Sequence, residues 1–155
     1  MAKRKSAARK PAAAKKSAAR RAAPARKAAP RKQIIGGPIV VGGNVIPISK
    51  AVRAGDYVFC SGQVPFKDGA PMVTGTIEEQ TEVTMEMIKG ILKEAGCSLS
   101  DVVKVAVWLR DTADFPGFNR TYAKYFPGKP PARSTVRSQL MVDVRIEIEV
   151  LAYKP

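Results

Sequence analysis

The sequence predicts an α+β domain whose two helices pack on one face of a β-sheet, carried behind a basic tail over residues 1–32. Three observations predict it. Within residues 33–155 some segments alternate apolar and polar residues with a period of two, the mark of strands, and two others repeat every three or four residues, the mark of helices. These segments follow one another as β-β-α-β-α-β-β. With both helices on one face, the other face has no cover in the sequence, and a symmetric oligomer is the expected cover.

The elements follow in order. In "IIGGPIVVGGNVIPIS" the residues Gly42, Gly43 and Asn44 turn a short hairpin or a pair of extended segments. "GDYVFCSGQVP", residues 55–65, is a strand entered through a Gly-Asp turn and closed by Gly62 and Pro65. "TIEEQTEVTMEMIKGILKEAG" is a helix, with Thr76 and Glu79 as a capping box, acids in the first turn and Gly96 at the stop. Its apolar face is expected through Val83, Met87, Ile91 and Ala95, flanked by Ile88 and Leu92. "DVVKVAVWLR" alternates Val103, Val105, Val107 and Leu109 as a strand does. Asp114 is placed to cap a second helix, which has an aromatic side of Phe118, Tyr122, Tyr125 and Phe126 and ends at Pro127-Gly128. Two strands, about residues 134–138 and 144–153, follow.

The net charge of +14 suggests a nucleic-acid binder until it is located. Residues 1–32 hold 13 of the 27 Lys and Arg and no acid, which leaves 14 basic residues against all 13 acids, a net of +1, for the rest. The tail's basic residues are Lys3, Arg4, Lys5, Arg9, Lys10, Lys15, Lys16, Arg20, Arg21, Arg26, Lys27, Arg31 and Lys32. No Leu, Ile, Val or aromatic residue accompanies them, and Pro11, Pro24 and Pro30 interrupt any helix, so the tail is expected to stay disordered. Its irregular units "RKPAAAKKSAAR" and "PARKAAPRK" resemble, in composition, the tails of linker histones. Such a chain binds the phosphates of DNA or RNA without reading sequence; the alternative is a solubilising or targeting extension with no dedicated partner. Base stacking is not indicated, for want of aromatic residues. No apolar signal core follows the charges and nothing later is long enough to span a membrane. A soluble cytoplasmic protein is expected, with nucleoid or chromatin association through the tail.

The catalytic inventory is short. There is no His, which removes Ser-His-Asp and Cys-His catalysis and most histidine-based metal sites. Cys60 and Cys97 are isolated and read as reduced, buried residues rather than nucleophiles. Gly42-Gly43 lacks the spacing and the helix of a phosphate loop. What remains is "PPARSTVRSQLMVDVRIEIEV", residues 130–150. Val144, Ile146, Ile148 and Val150 point to one sheet face, and Arg145, Glu147 and Glu149 to the other. On periodicity alone these charges decorate a solvent face, with Arg133 beside a turn; the sharper reading is a site for an anionic substrate.

The same stretch, with "GDYVFCSGQVP" upstream, resembles the reactive intermediate deaminase (RidA, or YjgF) family. "PARSTV" followed by "VRIEIEVLAY" matches that family's C-terminal signature, Pro-x-Arg-Ser/Thr-x-Val running into an acidic-aliphatic strand. "SGQVP" matches its Ser-Gly-Gln-aliphatic-Pro segment, "EAGCSLSDVVKVAVWLRD" its mid-chain segment and "FNRTYAKYF" its second helix. The likeness covers about residues 45–154 in order, and the tail lies outside it. It implies a chorismate-mutase-like α+β fold with a mixed sheet, in a homotrimer whose sheets face inward and whose three sites lie between subunits. It also implies hydrolysis of 2-imino acids and their enamines to 2-keto acids and ammonia, without metal or organic cofactor. Such imines are released by pyridoxal-phosphate enzymes acting on serine, threonine and related amino acids.

Carried onto this chain, the resemblance makes Arg133 the anchor of the substrate carboxylate. Glu147 would position a water or shuttle a proton as that water adds to C=N. Ser61 and Asn119 would line the pocket, and Thr135, where the family often has Cys, would form its wall. Ile48 stands where many members have Tyr. The loop between Arg133 and Glu147 is about one residue shorter than usual, so Glu149, on the same strand face, is the alternative carboxylate. Two other classes stay open: a non-catalytic ligand-binding or chaperone-like trimer, and a nucleic-acid-associated scaffold acting through the tail.

Overall fold

The computed structural model describes residues 32–155. Lys32, exposed, is the one residue of the basic tail among them; what is expected of residues 1–31 lies outside the described residues. In chain order the elements are β1 (Gln33–Ile35), β2 (Ile39–Val41), β3 (Asn44–Ile46), β4 (Ala51–Ala54), β5 (Tyr57–Cys60), β6 (Phe66–Lys67), β7 (Ala70–Pro71), α1 (Ile77–Glu94), β8 (Val102–Leu109), α2 (Phe115–Ala123), β9 (Ala132–Arg137) and β10 (Ile146–Tyr153). Six of the strands make one sheet in the order β1-β4-β5-β10-β8-β9. It is mixed: all neighbours run antiparallel except β8 and β9. A parallel pair needs a crossover, and α2 is that crossover, which lays it beside β9. α1 packs on β10, β5 and α2. Between helices and sheet, Met85, Ile88, Leu92 and Phe118 meet Val58, Val105, Ile146 and Ile148, all fully buried. Each such side chain contributes roughly 1.5–3 kcal/mol.

The capping box of α1 is present, with Thr76 N–H donating to Glu79 Oε2 at 2.8 Å and Glu79 N–H to Thr76 Oγ1 at 3.2 Å. At the other end Gly96, at φ 71°, takes the left-handed conformation. Its N–H reaches Lys93 O at 2.9 Å while Cys97 N–H reaches Leu92 O at 2.7 Å, the paired bonds of a Schellman stop. The buried face is turned from the expected one. It centres on Thr81, Thr84, Ile88, Ile91 and Ala95, and leaves Val83 and Met87 at its flank. The polar residues explain this: Thr81 and Thr84 donate to Ile77 O and Gln80 O at 2.7 and 2.8 Å, so their methyls face the sheet without an unpaired hydroxyl. Gln80 is buried too, donating to Met72 O and Thr74 O and accepting from Arg145 N–H.

Three further expectations are corrected. Val103 is exposed while Val102 and Val105 are buried, because the register against β10 shifts between Leu151 and Ala152, a bulge. Asp114 does not cap α2. Its buried carboxylate accepts from Arg145 Nε at 3.0 Å and Nη2 at 2.6 Å, and this draws Arg145 away from the face of Glu147 and Glu149. α2 closes at Ala123, ahead of Pro127, and Tyr125 and Phe126 continue in a tighter turn. The β2–β3 hairpin forms, with Gly42 and Gly43 alone as its turn, at φ 56° and 81°. A second hairpin, β6–β7, turns through Asp68-Gly69 and is not among the expected elements.

Among the described residues none covers the sheet face away from the helices, as expected. Ile34, Tyr57, Phe59 and Tyr153 stand exposed there, beside Glu147 and Glu149. No helix among the described residues is long and apolar enough to cross a membrane.

Candidate active site

The candidate residues fall into two groups. Strand β9 pairs in parallel with β8, setting Arg133 beside Val105 and Thr135 beside Val107, on the helical face. There α2 presents its aromatic side. The Arg133 guanidinium lies 4.7 Å from the ring centroid of Tyr122, 4.8 Å from that of Phe118 and 5.9 Å from that of Phe115. Its Nη2 donates to Asn119 Oδ1 at 2.7 Å. Stacking fixes the plane of the fork and the amide fixes its rotation, while an amide neutralises no charge. Arg133 is thus a rigid, half-buried cation whose remaining donors suit a carboxylate. Two residues along, Thr135 has a buried hydroxyl with no hydrogen-bond partner, and it lines a pocket of about 190 Å³ with Leu109, Thr112, Phe115, Val136 and Arg137. The Tyr122 hydroxyl is likewise unpartnered, and burial pushes its pKa up to about 12 against the opposing charge of Arg133.

The second group is on the open face. Glu147 stands opposite Trp108 in the middle of the sheet and is half-buried. Burial, and secondarily the charge of Glu149, raises its pKa above the ordinary carboxylate value. Its carboxylate lies against Gly62, where a Cβ would overlap Oε1 and stand 3.0 Å from Cδ. The loop is pinned there because Gln63 and Ile148 exchange backbone hydrogen bonds of 2.8 and 2.9 Å. Ser61, next to Gly62, donates its hydroxyl to Ser49 O at 2.7 Å and keeps its lone pairs for other donors. Glu149 is exposed, so of the two carboxylates Glu147 is the desolvated one. Ile48 is exposed.

The fold therefore gathers Arg133, Asn119 and Thr135 on one side of the sheet and Glu147 and Ser61 on the other. Arg133 and Glu147 of one chain thus face opposite sides of the sheet. Gly62 and the rings of Phe115, Phe118 and Tyr122 are site features that spacing alone did not single out. The signals were there, in the glycine of "SGQVP" and in an aromatic run that reads equally well as core. Cys60 and Cys97 are both buried, and burial pushes the Cys60 thiol to about 12, far from a thiolate at neutral pH. Among the described residues no group of His, Cys, Asp and Glu is placed to hold a metal ion.

A mixed sheet with two helices on one side, an aromatic-stacked arginine on its edge strand and a desolvated carboxylate on its central strand define a class of small α+β domain. The chain belongs to the family described as Endoribonuclease L-PSP, whose model matches residues 44–154. It is 47% identical over 110 residues to a RutC family protein of Pyrococcus abyssi, across 70% of this chain and 87% of that protein. It is 41% identical over 108 residues to the chloroplastic Reactive Intermediate Deaminase A of Arabidopsis thaliana, across 68% of this chain and 58% of that protein. The crystal structure of yeast Mmf1 superposes with a TM-score of 0.72 at 35% identity, across 80% of this chain and 99% of that one. The kinship expected from "PARSTV" and "SGQVP" thus holds, within a family whose members carry deaminase, endoribonuclease and RutC names.

Proposed function

We propose that residues 33–155 form a hydrolase that converts 2-imino acids and their enamine tautomers, of the 2-iminopropanoate and 2-iminobutanoate type, to 2-keto acids and ammonia. One observation carries the reading: a rigid arginine bound to a neutral amide, and a desolvated carboxylate seated in a glycine gap, in one small family fold. Arg133 donates to the substrate carboxylate and so places C2. A water adds to C2 of the protonated C=N bond while Glu147 takes one of its protons, giving a carbinolamine. Glu147 returns that proton to nitrogen. As the C–N bond breaks and ammonia leaves, the carbinolamine hydroxyl becomes C=O and gives its proton to Glu147, which passes it to solvent. A carboxyl with a raised pKa suits both halves of that exchange. Asn119 holds Arg133 in plane, Thr135 offers its unpaired hydroxyl at the wall, and Ser61 accepts from substrate or water.

Because Arg133 and Glu147 occupy opposite faces, the working site joins Arg133, Asn119 and Thr135 of one copy to Glu147 and Ser61 of the next. A chorismate-mutase-like homotrimer with its sheets facing inward does this and covers Tyr57, Phe59 and Tyr153 together. The test is ammonia release from freshly generated 2-iminopropanoate by Arg133→Ala, by Glu147→Gln and by the two refolded together. Each variant alone is inactive. Random mixing returns about one quarter of wild-type activity, since one interface in four then pairs an intact Arg133 with an intact Glu147. No recovery in a mixed oligomer overturns the shared site, and no acceleration by the wild type overturns the reaction. Glu147→Gln also separates catalysis from a ligand-binding trimer, which would keep its binding unchanged and show no turnover in either form.

A further inference from the structure

Six arginines lie among the described residues, and four of them are taken up by the protein itself. Arg110 pairs with Asp143, Arg120 with Glu78 and Arg145 with Asp114, while Arg53 donates to Ala95 O at the end of α1. Arg133 is bound only by the neutral amide of Asn119 and its ring stack. Arg137 has no hydrogen-bond or ion-pair partner among the described residues. The two guanidinium groups with donors to spare therefore stand on one face of one strand, β9, with Thr135 between them.

The pocket of about 190 Å³ lies along that row. Leu109, Phe115 and Val136 give it apolar walls, Arg137 lines one side, and the Thr135 hydroxyl is buried there without a partner. Phe115 ties it to the other arginine, since its ring centroid is 5.9 Å from the Arg133 guanidinium. An apolar cavity of about 150 Å³ holds a benzene-sized group of about six heavy atoms. The methyl or ethyl side chain of 2-iminopropanoate or 2-iminobutanoate leaves most of such a space empty. A wider polar cleft of about 920 Å³ adjoins Arg137, but its other arginines, Arg110 and Arg145, are the paired ones.

We infer that the pocket takes the side chain of a 2-imino dicarboxylic acid, with Arg133 on the C1 carboxylate and Arg137 on the distal one. The inference rests on the deaminase reading for the role of Arg133. Four residues of strand set the two arginines about 13 Å apart. A five-carbon dicarboxylate spans about 7 Å between its outer oxygens at ordinary bond lengths, and a charge-assisted hydrogen bond at each end adds about 3 Å. The imine of glutamate therefore closes the distance, and that of aspartate, one carbon shorter, falls short. Its methylenes lie against Phe115 and Leu109, and a distal oxygen gives the Thr135 hydroxyl the acceptor it lacks. Both anchors belong to one chain, so the fit does not depend on the copy that brings Glu147. The reaction is unchanged: 2-iminoglutarate and water give 2-oxoglutarate and ammonia.

The test compares ammonia release from 2-iminoglutarate and 2-iminopropanoate, each generated in the cuvette by an amino-acid oxidase. Calorimetry on the same protein measures binding of the stable products, 2-oxoglutarate and pyruvate. The wild type prefers 2-iminoglutarate by about 10–100-fold in kcat/KM, and binds 2-oxoglutarate more tightly than pyruvate by a similar factor. Arg137→Gln removes both preferences, Arg137→Lys restores part of each, and Arg137→Glu puts the dicarboxylates below the monocarboxylates. A merely structural role for Arg137 would lower both substrates alike and leave the ratios where they are. Ratios near one in the wild type, or ratios that survive Arg137→Gln, overturn the inference. Turnover of 2-iminopropanoate alongside such ratios leaves the deaminase reading standing. Tight 2-oxoglutarate binding that needs Arg137, with neither imine turned over, supports the pocket and overturns the deaminase reading instead.

Discussion

Replacing Gly62 by Ala puts a methyl group where the Glu147 carboxylate lies. The added carbon would overlap Oε1 and stand 3.0 Å from Cδ and 3.3 Å from Cγ. Unbonded heavy atoms settle at about 3.5 Å or beyond, so one partner has to move by about 1 Å or more. The loop is the stiffer of the two, because Gln63 is tied to Ile148 by hydrogen bonds of 2.8 and 2.9 Å, and the carboxylate swings toward the open face. A misplacement of about 1 Å costs roughly a hundredfold in rate, about 2.7 kcal/mol of barrier. Initial rates of ammonia release at saturating 2-iminopropanoate should fall by that factor with KM little changed, since Arg133 is untouched. Moving the carboxylate toward water also relieves the burial that raises its pKa. The proposed reaction needs Glu147 ionised, so the acid limb of the kcat profile should move to lower pH. Stability drops by less than about 1 kcal/mol, which a melting curve on the same sample confirms. Wild-type kcat with an unmoved acid limb would refute both the placement and the role of Glu147.

Other expectations follow from the same contacts. Asn119→Ala removes a 2.7 Å hydrogen bond to a charged group while leaving Arg133 on its rings; KM rises about tenfold and kcat stays within about twofold in steady-state assays. Glu147→Gln changes stability with a definite sign. A carboxyl raised above its unfolded pKa binds protons more tightly when folded, so its cost to stability grows as pH rises through that window. The variant should melt higher than wild type at pH above the window and equally at pH below about 4, the unfolded value. Asp114→Ala strands a partly exposed Arg145 and costs about 1–2 kcal/mol, seen as a melting temperature lower by about 5 °C, and Asp114→Asn recovers part of it. Thr76→Ala removes one half of the capping box and costs about 1 kcal/mol by urea denaturation.

Local chemistry made some elements readable in the sequence. Thr76 with Glu79, and Gly96 after the last turn, bracket α1 because caps act over three or four residues and carry their own residue types. The alternation through Ile146, Ile148 and Val150 fixes which face Glu147 shares, because a strand repeats every two residues. Tertiary choices were not readable. A hydrophobicity count puts Val83 and Met87 on the buried face, whereas Thr81 and Thr84 take it, since each threonine satisfies its hydroxyl on its own helix and can then be buried like valine. Asp114 has the look of a cap until Arg145, 31 residues away, claims both its oxygens. The separation of Arg133 from Glu147 by the sheet depends on strand order and on the parallel pairing of β8 with β9, which no local pattern encodes. The gap at Gly62 is set by the same long-range register.

Strand β10 lies between β5 and β8 yet comes after every other strand of the sheet in the chain. During synthesis the ribosome therefore makes two half-sheets, β1-β4-β5 and β8-β9, and neither can pair with the other until residues 146–153 emerge. Until then the nascent chain shows two raw inner edges, which is the state that chaperones capture. The same strand brings in Glu147. A message cut short by a premature stop codon before residue 146 yields neither a closed sheet nor Glu147.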